Sequence, residues 1–179
     1  MQYAIEMFFD KETEARLFGI ARKVADEKIS TKYFEWKQRP HITLACFNDP
    51  DEALCAEKLR EFAEKHSAMP IHFGSVGMFC DTRAIFASPV MNIAMYQFQK
   101  DLHDHLSGFD TKGREWYCPE RWVPHCGLAL TGDDDNEAFF RASDLILREF
   151  TKMSGEGVEL GLVKISFPVE EIFTVRLGR

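Results

Sequence analysis

The chain has 179 residues, of which 45% are apolar and 28% charged, and its 22 basic and 29 acidic residues give a formal net charge of −7. That length fits a single domain, and the balance excludes a disordered, collagen-like or low-complexity chain. A net-acidic chain is poorly suited to coating extended duplex nucleic acid, and no apolar run approaches the ~18 residues a membrane span needs. In chain order, residues 3–9 are apolar and aromatic and read as a strand. Leu17, Ile20, Ala21 and Val24 recur at helical spacing and predict a helix over 11–29. Residues 30–39 read as a loop and 40–47 as a strand. Asp49 then offers a helix cap with Pro50 at the first position, opening a helix that buries Cys55, Leu59, Phe62 and Ala63. Residues 71–79 and 83–90 read as a hairpin around Cys80-Asp81-Thr82. Met95, Phe98, Leu102 and Leu106 mark a helix stopped by Ser107-Gly108. Residues 110–122 read as a loop and 124–130 as a strand. Phe139, Ser143, Ile146, Leu147 and Phe150 form a last helix face, and residues 158–167 and 171–177 close the chain as two strands around Pro168.

An internal repeat organises these elements. Pro40-His41 leads into a strand, an acidic turn and a helix ending Arg60-Glu61-Phe62, then a strand and Ile85-Phe86. Pro124-His125 leads through the same order to Arg148-Glu149-Phe150, then a strand and Ile172-Phe173. Phe62 stands 21 positions after His41 and Phe150 stands 25 after His125; Ile85 and Ile172 follow at 44 and 47. The ordered set predicts a duplicated α+β domain over residues 1–179, mostly antiparallel, with one histidine per half at a shared cleft. Strand periodicity puts His41, Thr43, Ala45 and Phe47 on one face and leaves Ile42, Leu44 and Cys46 to the core. It likewise groups His125, Gly127, Ala129 and Thr131 against a core face of Cys126, Leu128 and Leu130.

His41-Ile42-Thr43-Leu44 is an H-x-T-hydrophobic motif, and His125-Cys126-Gly127-Leu128 stands 84 residues later, each preceded by proline. In these two motifs and the duplicated frame, the chain resembles the two-histidine phosphoesterase superfamily, which includes the 2′-5′ RNA ligases and cyclic nucleotide phosphodiesterases. The resemblance covers nearly the whole chain. It implies a bilobal fold, with two mostly antiparallel sheets facing a central groove and helices outside. It also implies metal-free, cofactor-free hydrolysis of 2′,3′-cyclic or 2′-5′-linked ribonucleotide phosphodiesters. His41 and His125 would be the catalytic pair, one the base on the attacking water and the other the acid on the leaving oxygen, in either order. In-line displacement at phosphorus needs such a pair on opposite sides, and two imidazoles near neutral pKa can divide the work. Thr43, two residues on and on the same face, would bind a phosphate oxygen. The second motif departs from the pattern, because Gly127 stands where the family has Thr or Ser. Glycine lets a backbone amide come close to a phosphate, which compensates in part. The departure keeps a second reading open, a nucleotide- or RNA-end-binding module with little turnover.

The segments before both histidines interleave bases and aromatics. Arg121 and Trp122 stand nearest His125, where they could neutralise a phosphate and stack a base; alternatively the aromatics cover core ends. Elsewhere the simpler readings hold. His103 and His105 are two apart on a helix and face apart. His66 ends a helix, His72 alternates within a strand, and Asp133-Asp134-Asp135 precedes a helix whose dipole favours acids, so no metal site is expected. Cys46, Cys55, Cys80, Cys118 and Cys126 lack paired spacing and read as reduced thiols. The first residues lack a basic, leader-like stretch. The expectation is a cytoplasmic monomer acting on a small nucleotide or RNA-end phosphodiester.

Overall fold

A computed structural model describes residues 2–109, 112–132 and 135–178, with backbone only for 112–114. Its elements are β1 (Gln2–Phe9), α1 (Lys11–Asp26), α2 (Lys32–Glu35), β2 (His41–Asn48), α3 (Glu52–Ala63), β3 (Met69–Met78), β4 (Ala84–Pro89), α4 (Ile93–His105), a 3₁₀ turn (Lys112–Tyr117), β5 (Cys126–Leu130), α5 (Asn136–Glu149), β6 (Met153–Lys164) and β7 (Glu170–Arg176). The fold is α+β, as the sequence implies. Among the described residues no helix is long and apolar enough to cross a membrane.

The strands form one hydrogen-bonded antiparallel sheet in the order β2-β1-β6-β3-β4-β5, with β7 also pairing β6. The two sheets expected from the sequence are therefore joined through β6 and β3. The order is a palindrome under the exchange of β1 with β4, β2 with β5 and β3 with β6, and is compatible with a duplication. The exchange matches Ala4-Ile5 of β1 with Ala84-Ile85 of β4, whereas the sequence reading matched Ile85-Phe86 with Ile172-Phe173 of β7.

Each histidine strand carries a bulge at the same place. Ile5 pairs Ala45 while Glu6 pairs Thr43, so Leu44 is the extra residue in β2. Ile85 pairs Ala129 while Phe86 pairs Gly127, so Leu128 is the extra residue in β5. A bulge inserts one residue and reverses the facing of all that follow. Ala45 and Phe47 therefore join the core, and Cys46 turns to the cleft, opposite to strict alternation. Leu130 likewise turns from the expected core to the cleft.

Helices α1, α3, α4 and α5 each bury one face, and each begins at a side-chain cap: Asp10, Asp51, Asn92 and Asp135. The α3 cap is Asp51 rather than Asp49, whose φ of 40° sets it in a left-handed turn before Pro50. Asp10 also accepts the Glu156 amide at 2.7 Å, tying α1 to β6. A Cβ on Gly155 would lie 1.7 Å from Thr13 Oγ1, so only glycine permits that approach. In α5 the buried face is set by Ala138, Ala142, Leu145 and Ile146, and Leu147, expected on it, is 60% exposed.

Candidate active site

The outer strands β2 and β5 bring both motifs to one cavity of about 260 Å³. Its floor is Ala4, Glu6, His41, Thr43 and Cys46 on one side, and Ala84, His125, Gly127 and Leu130 on the other. Tyr33, Trp36, Tyr117, Phe167 and Val169 form its walls. Such a volume lies at the small end of ligand sites. The two predicted histidines, Thr43 and Gly127 are thus gathered at one place.

Both imidazoles are aimed the same way. His41 Nδ1 lies 2.7 Å from the Arg39 carbonyl, and His125 Nδ1 lies 2.8 Å from the Val123 carbonyl. A carbonyl only accepts, so each Nδ1 carries the proton and each Nε2 is left for chemistry. The carbonyl belongs in each case to the residue two before the histidine, with proline between. Strand β5 begins at Cys126, so His125, which the predicted strand over 124–130 includes, stands one residue ahead of the observed ladder.

The supports of these two carbonyls were not read from the sequence. Arg39 donates through Nε to Glu14 at 2.8 Å and through Nη1 to Glu159 at 2.7 Å, and its guanidinium lies 4.1 Å from the Phe8 ring centroid. Its partners lie on α1 and β6, too far along the chain for any local pattern to show. Trp122 is buried, and its indole N–H donates to the Thr43 carbonyl at 2.9 Å. It therefore anchors the chain beside Val123 and ties the two motifs together. The structure corrects its predicted role: Trp122 lies behind the cavity wall because a buried indole needs an acceptor, which the open edge of β2 supplies. Arg121 also stays outside the cavity, exposed and paired with Glu115 at 2.7 Å.

The two halves differ in their surroundings. Glu6 is buried, and its Oε1 lies 3.4 Å from His41 Nε2. Burial pushes its carboxyl up to about 8; Glu171 adds to that and Arg39 opposes it. The residue at the matching place beside Gly127 is Phe86, packed against Phe79 at 4.5 Å. A Cβ on Gly77 would lie 2.3 Å from this ring, so the glycine makes its room. His125 sits edge-on to Phe79 at 4.8 Å and near Phe86 at 5.3 Å. Burial lowers the pKa of both histidines; the Arg39 and Val123 carbonyls oppose this, and the charge of His41 lowers His125 further.

The other histidines serve the fold. His103 bonds the Leu44 carbonyl at 3.0 Å, His105 the Lys58 carbonyl at 2.9 Å and His66 the Phe62 carbonyl at 2.8 Å, while His72 meets Ser154 Oγ at 2.8 Å. Asp135 caps α5; Asp133 and Asp134 lie outside the described residues. Among the described residues no three His, Cys, Asp or Glu side chains gather as a metal-ion site.

The family model of the 2′-5′ RNA ligase superfamily matches residues 15–178. The chain belongs to this superfamily. Its members are phosphoesterases, which accords with a paired-imidazole cavity. No curated sequence matches the chain. Among solved structures it is similar to Escherichia coli LigT complexed with 3′-AMP, with a TM-score of 0.63 and 12% identity over 99% of this chain and 98% of that one. It is similar too to TT0787 of Thermus thermophilus, with a TM-score of 0.65 and 14% identity over the same shares. At such identities these likenesses speak for the superfamily fold. The residues of the site rest on the geometry above.

Proposed function

We propose that the chain is a phosphodiesterase that hydrolyses 2′,3′-cyclic or 2′-5′-linked ribonucleotide phosphodiesters, with His41 and His125 as its acid/base pair. One observation carries this reading: both Nδ1 atoms are engaged by carbonyls two residues earlier, which frees both Nε2 atoms toward one cavity. Water attacks phosphorus on one side while a ribose oxygen leaves on the other. One Nε2 takes the proton of the water and the other supplies a proton to the leaving oxygen. The Thr43 hydroxyl lines the same floor and donates to a phosphate oxygen as charge develops. The aromatic walls suit a nucleobase, with Trp36 and Phe167 ring centroids 4.6 Å apart at the rim. LigT, of the same fold, has been crystallised with 3′-AMP, a ribonucleotide bearing one of the two phosphates such an opening can leave. No step in this scheme calls for a metal, so activity is expected to survive EDTA.

Gly127 favours the second reading, a binding module of the same ligand class. A Cβ there would meet only Tyr33 Cε2, at 4.0 Å, so the missing hydroxyl leaves open space. Hydrolysis of 2′,3′-cyclic AMP in EDTA, followed by ³¹P NMR, separates the two. Ring opening to one regioisomer, reduced roughly 10²- to 10⁴-fold in both His41→Ala and His125→Ala, supports the enzyme. Binding without turnover in the wild type supports the module.

A further inference from the structure

We propose that Glu6 is a positioning residue that sets the direction of catalysis: its buried carboxyl shares one proton with His41 Nε2, so that His41 enters the reaction as the acid and His125 as the base. The proposal rests on the two-histidine phosphodiesterase reading above and adds what that reading leaves open, the assignment of the two roles.

With His41 Nδ1–H given to the Arg39 carbonyl, only Nε2 faces Glu6 Oε1, at 3.4 Å. A carboxylate and an unprotonated imidazole nitrogen are both acceptors, so the contact is favourable only with a proton between them. Glu6 stands directly across from Thr43 in the ladder, so its carboxyl opens on the floor where the phosphate would lie. Among the described residues His125 has no such carboxyl partner; Phe86 occupies the matching place, and Phe79 and Tyr117 flank the ring. The groups that bear on Glu6 favour its holding a proton. Glu171 of β7 repels its negative form, while Arg39, which attracts it, is already paired with Glu14 and Glu159. Tyr33 and Cys126, which also feel its charge, are themselves buried and held neutral by that burial. A bound phosphodiester adds another negative charge nearby and holds the proton more firmly.

The proton balance then closes. The oxygen of water bonds phosphorus as the bond to the ribose oxygen breaks. The proton of the water passes to His125 Nε2, and the shared proton passes from His41 Nε2 to the ribose oxygen. The site is left with a cationic His125 facing an anionic Glu6–His41 pair, and solvent returns the proton once product leaves.

The test uses the imidazole ¹⁵N signals of the whole protein between pH 5 and 10, beside kcat/KM for 2′,3′-cyclic AMP over the same range. Wild type, Glu6→Gln and Glu6→Asp are compared, with thermal melts confirming the fold. The proposal expects a transition at His41 Nε2 near pH 8, the value to which Glu6 is raised. It should vanish in Glu6→Gln, which keeps the shape but carries no exchangeable acid, and persist in Glu6→Asp. The alkaline limb of kcat/KM should follow the same transition, and Glu6→Gln should lose about tenfold or more at neutral pH through the weakened acid step. A His41 transition unchanged in Glu6→Gln, or an activity loss with the pH profile unmoved, overturns the proposal. If wild type shows the transition but turns over no cyclic nucleotide, the shared proton stands and the acid assignment falls with the phosphodiesterase reading.

Discussion

Gly127→Thr gives the second motif the hydroxyl that the first motif has in Thr43. The backbone accepts it, since Gly127 lies in β5 without a left-handed φ, and the nearest atom to a new Cβ is Tyr33 Cε2 at 4.0 Å. Threonine is also well suited to a strand, so fold stability should hold or rise slightly. A hydrogen bond to a charged group contributes about 1.5–3 kcal/mol, and each 1.36 kcal/mol off the barrier is a factor of about ten. Gly127→Thr should therefore raise kcat/KM for 2′,3′-cyclic AMP roughly ten- to a hundredfold, mostly in kcat if the bond tightens as charge develops. Gly127→Ala controls for filling the space, and Thr43→Ala should lose a similar factor from the first motif. Steady-state kinetics with thermal melts provides the measurement. A Gly127→Thr protein that melts as wild type does but gains no rate, while Thr43→Ala loses it, would refute the equivalence of the two floor positions.

Trp122→Phe leaves the buried Thr43 carbonyl without its donor; it should cost about 1–3 kcal/mol of stability by denaturant melts, whereas Arg121→Ala should leave KM unchanged because Arg121 is held at the surface by Glu115. Trp36→Ala removes one face of the rim, and a stacked base contributes about 1–3 kcal/mol. KM for the cyclic nucleotide should rise about tenfold, while glycerol 1,2-cyclic phosphate, which has no base, should be cleaved as before. Glu6 binds its proton more tightly folded than unfolded, its pKa going from 4.5 to about 8, so its contribution to stability is complete below 4.5 and lost as pH rises through 8. Thermal melts of Glu6→Gln should show a gain relative to wild type between pH 6 and 9, and a constant difference would contradict the burial argument. The lowered pKa values of His41 and His125 act oppositely, and stability should fall as pH drops below about 6.5, the unperturbed histidine value.

The elements were legible because the core is strongly patterned. Leu17, Ile20, Ala21 and Val24 in α1, and Cys55, Leu59, Phe62 and Ala63 in α3, are buried as their spacing requires. The candidate site was legible in His41, Thr43, His125 and Gly127, since residues close in sequence on one strand stay together in space. The bulges at Leu44 and Leu128 were not legible: neither is glycine, and a bulge set by strand pairing leaves no local mark. Trp122 and Arg39 were misjudged or missed for a related reason, as their partners lie on other strands and on α1. Glu6 carried a visible signal. It is the one charged residue within the apolar run of β1, where Ile5 and Met7 on either side belong to the core and alternation turns it to the other face. A lone acid on the covered face of a strand is costly unless partnered, and that cost itself points to a site.

The palindromic strand order and the paired bulges aim two imidazoles alike, but a reaction with a direction needs them to differ by one proton. Across the floor and the residues beside it the symmetry is kept at Ala4 with Ala84 and at His41 with His125, and it is broken at Thr43 with Gly127, at Cys46 with Leu130 and at Glu6 with Phe86. All three breaks have the same sense: the β2 side is polar and proton-bearing, the β5 side apolar and bare. In the proposed reaction the phosphoryl oxygens therefore lean toward Thr43, and the leaving oxygen lies by His41. Water enters along the aromatic side toward His125, where a dry wall keeps the imidazole unprotonated and basic. The alternative to a lost phosphate ligand is that Gly127 belongs to this division, a hydroxyl on the β5 side competing with the water for His125 Nε2. By microscopic reversibility any change from Gly127→Thr is equal in kcat/KM for ring opening and for its reverse, in which His41 takes the proton of the ribose hydroxyl and water leaves by His125. A gain in hydrolysis from Gly127→Thr marks a lost phosphate ligand, whereas no gain beside an impaired Thr43→Ala marks a site tuned for water.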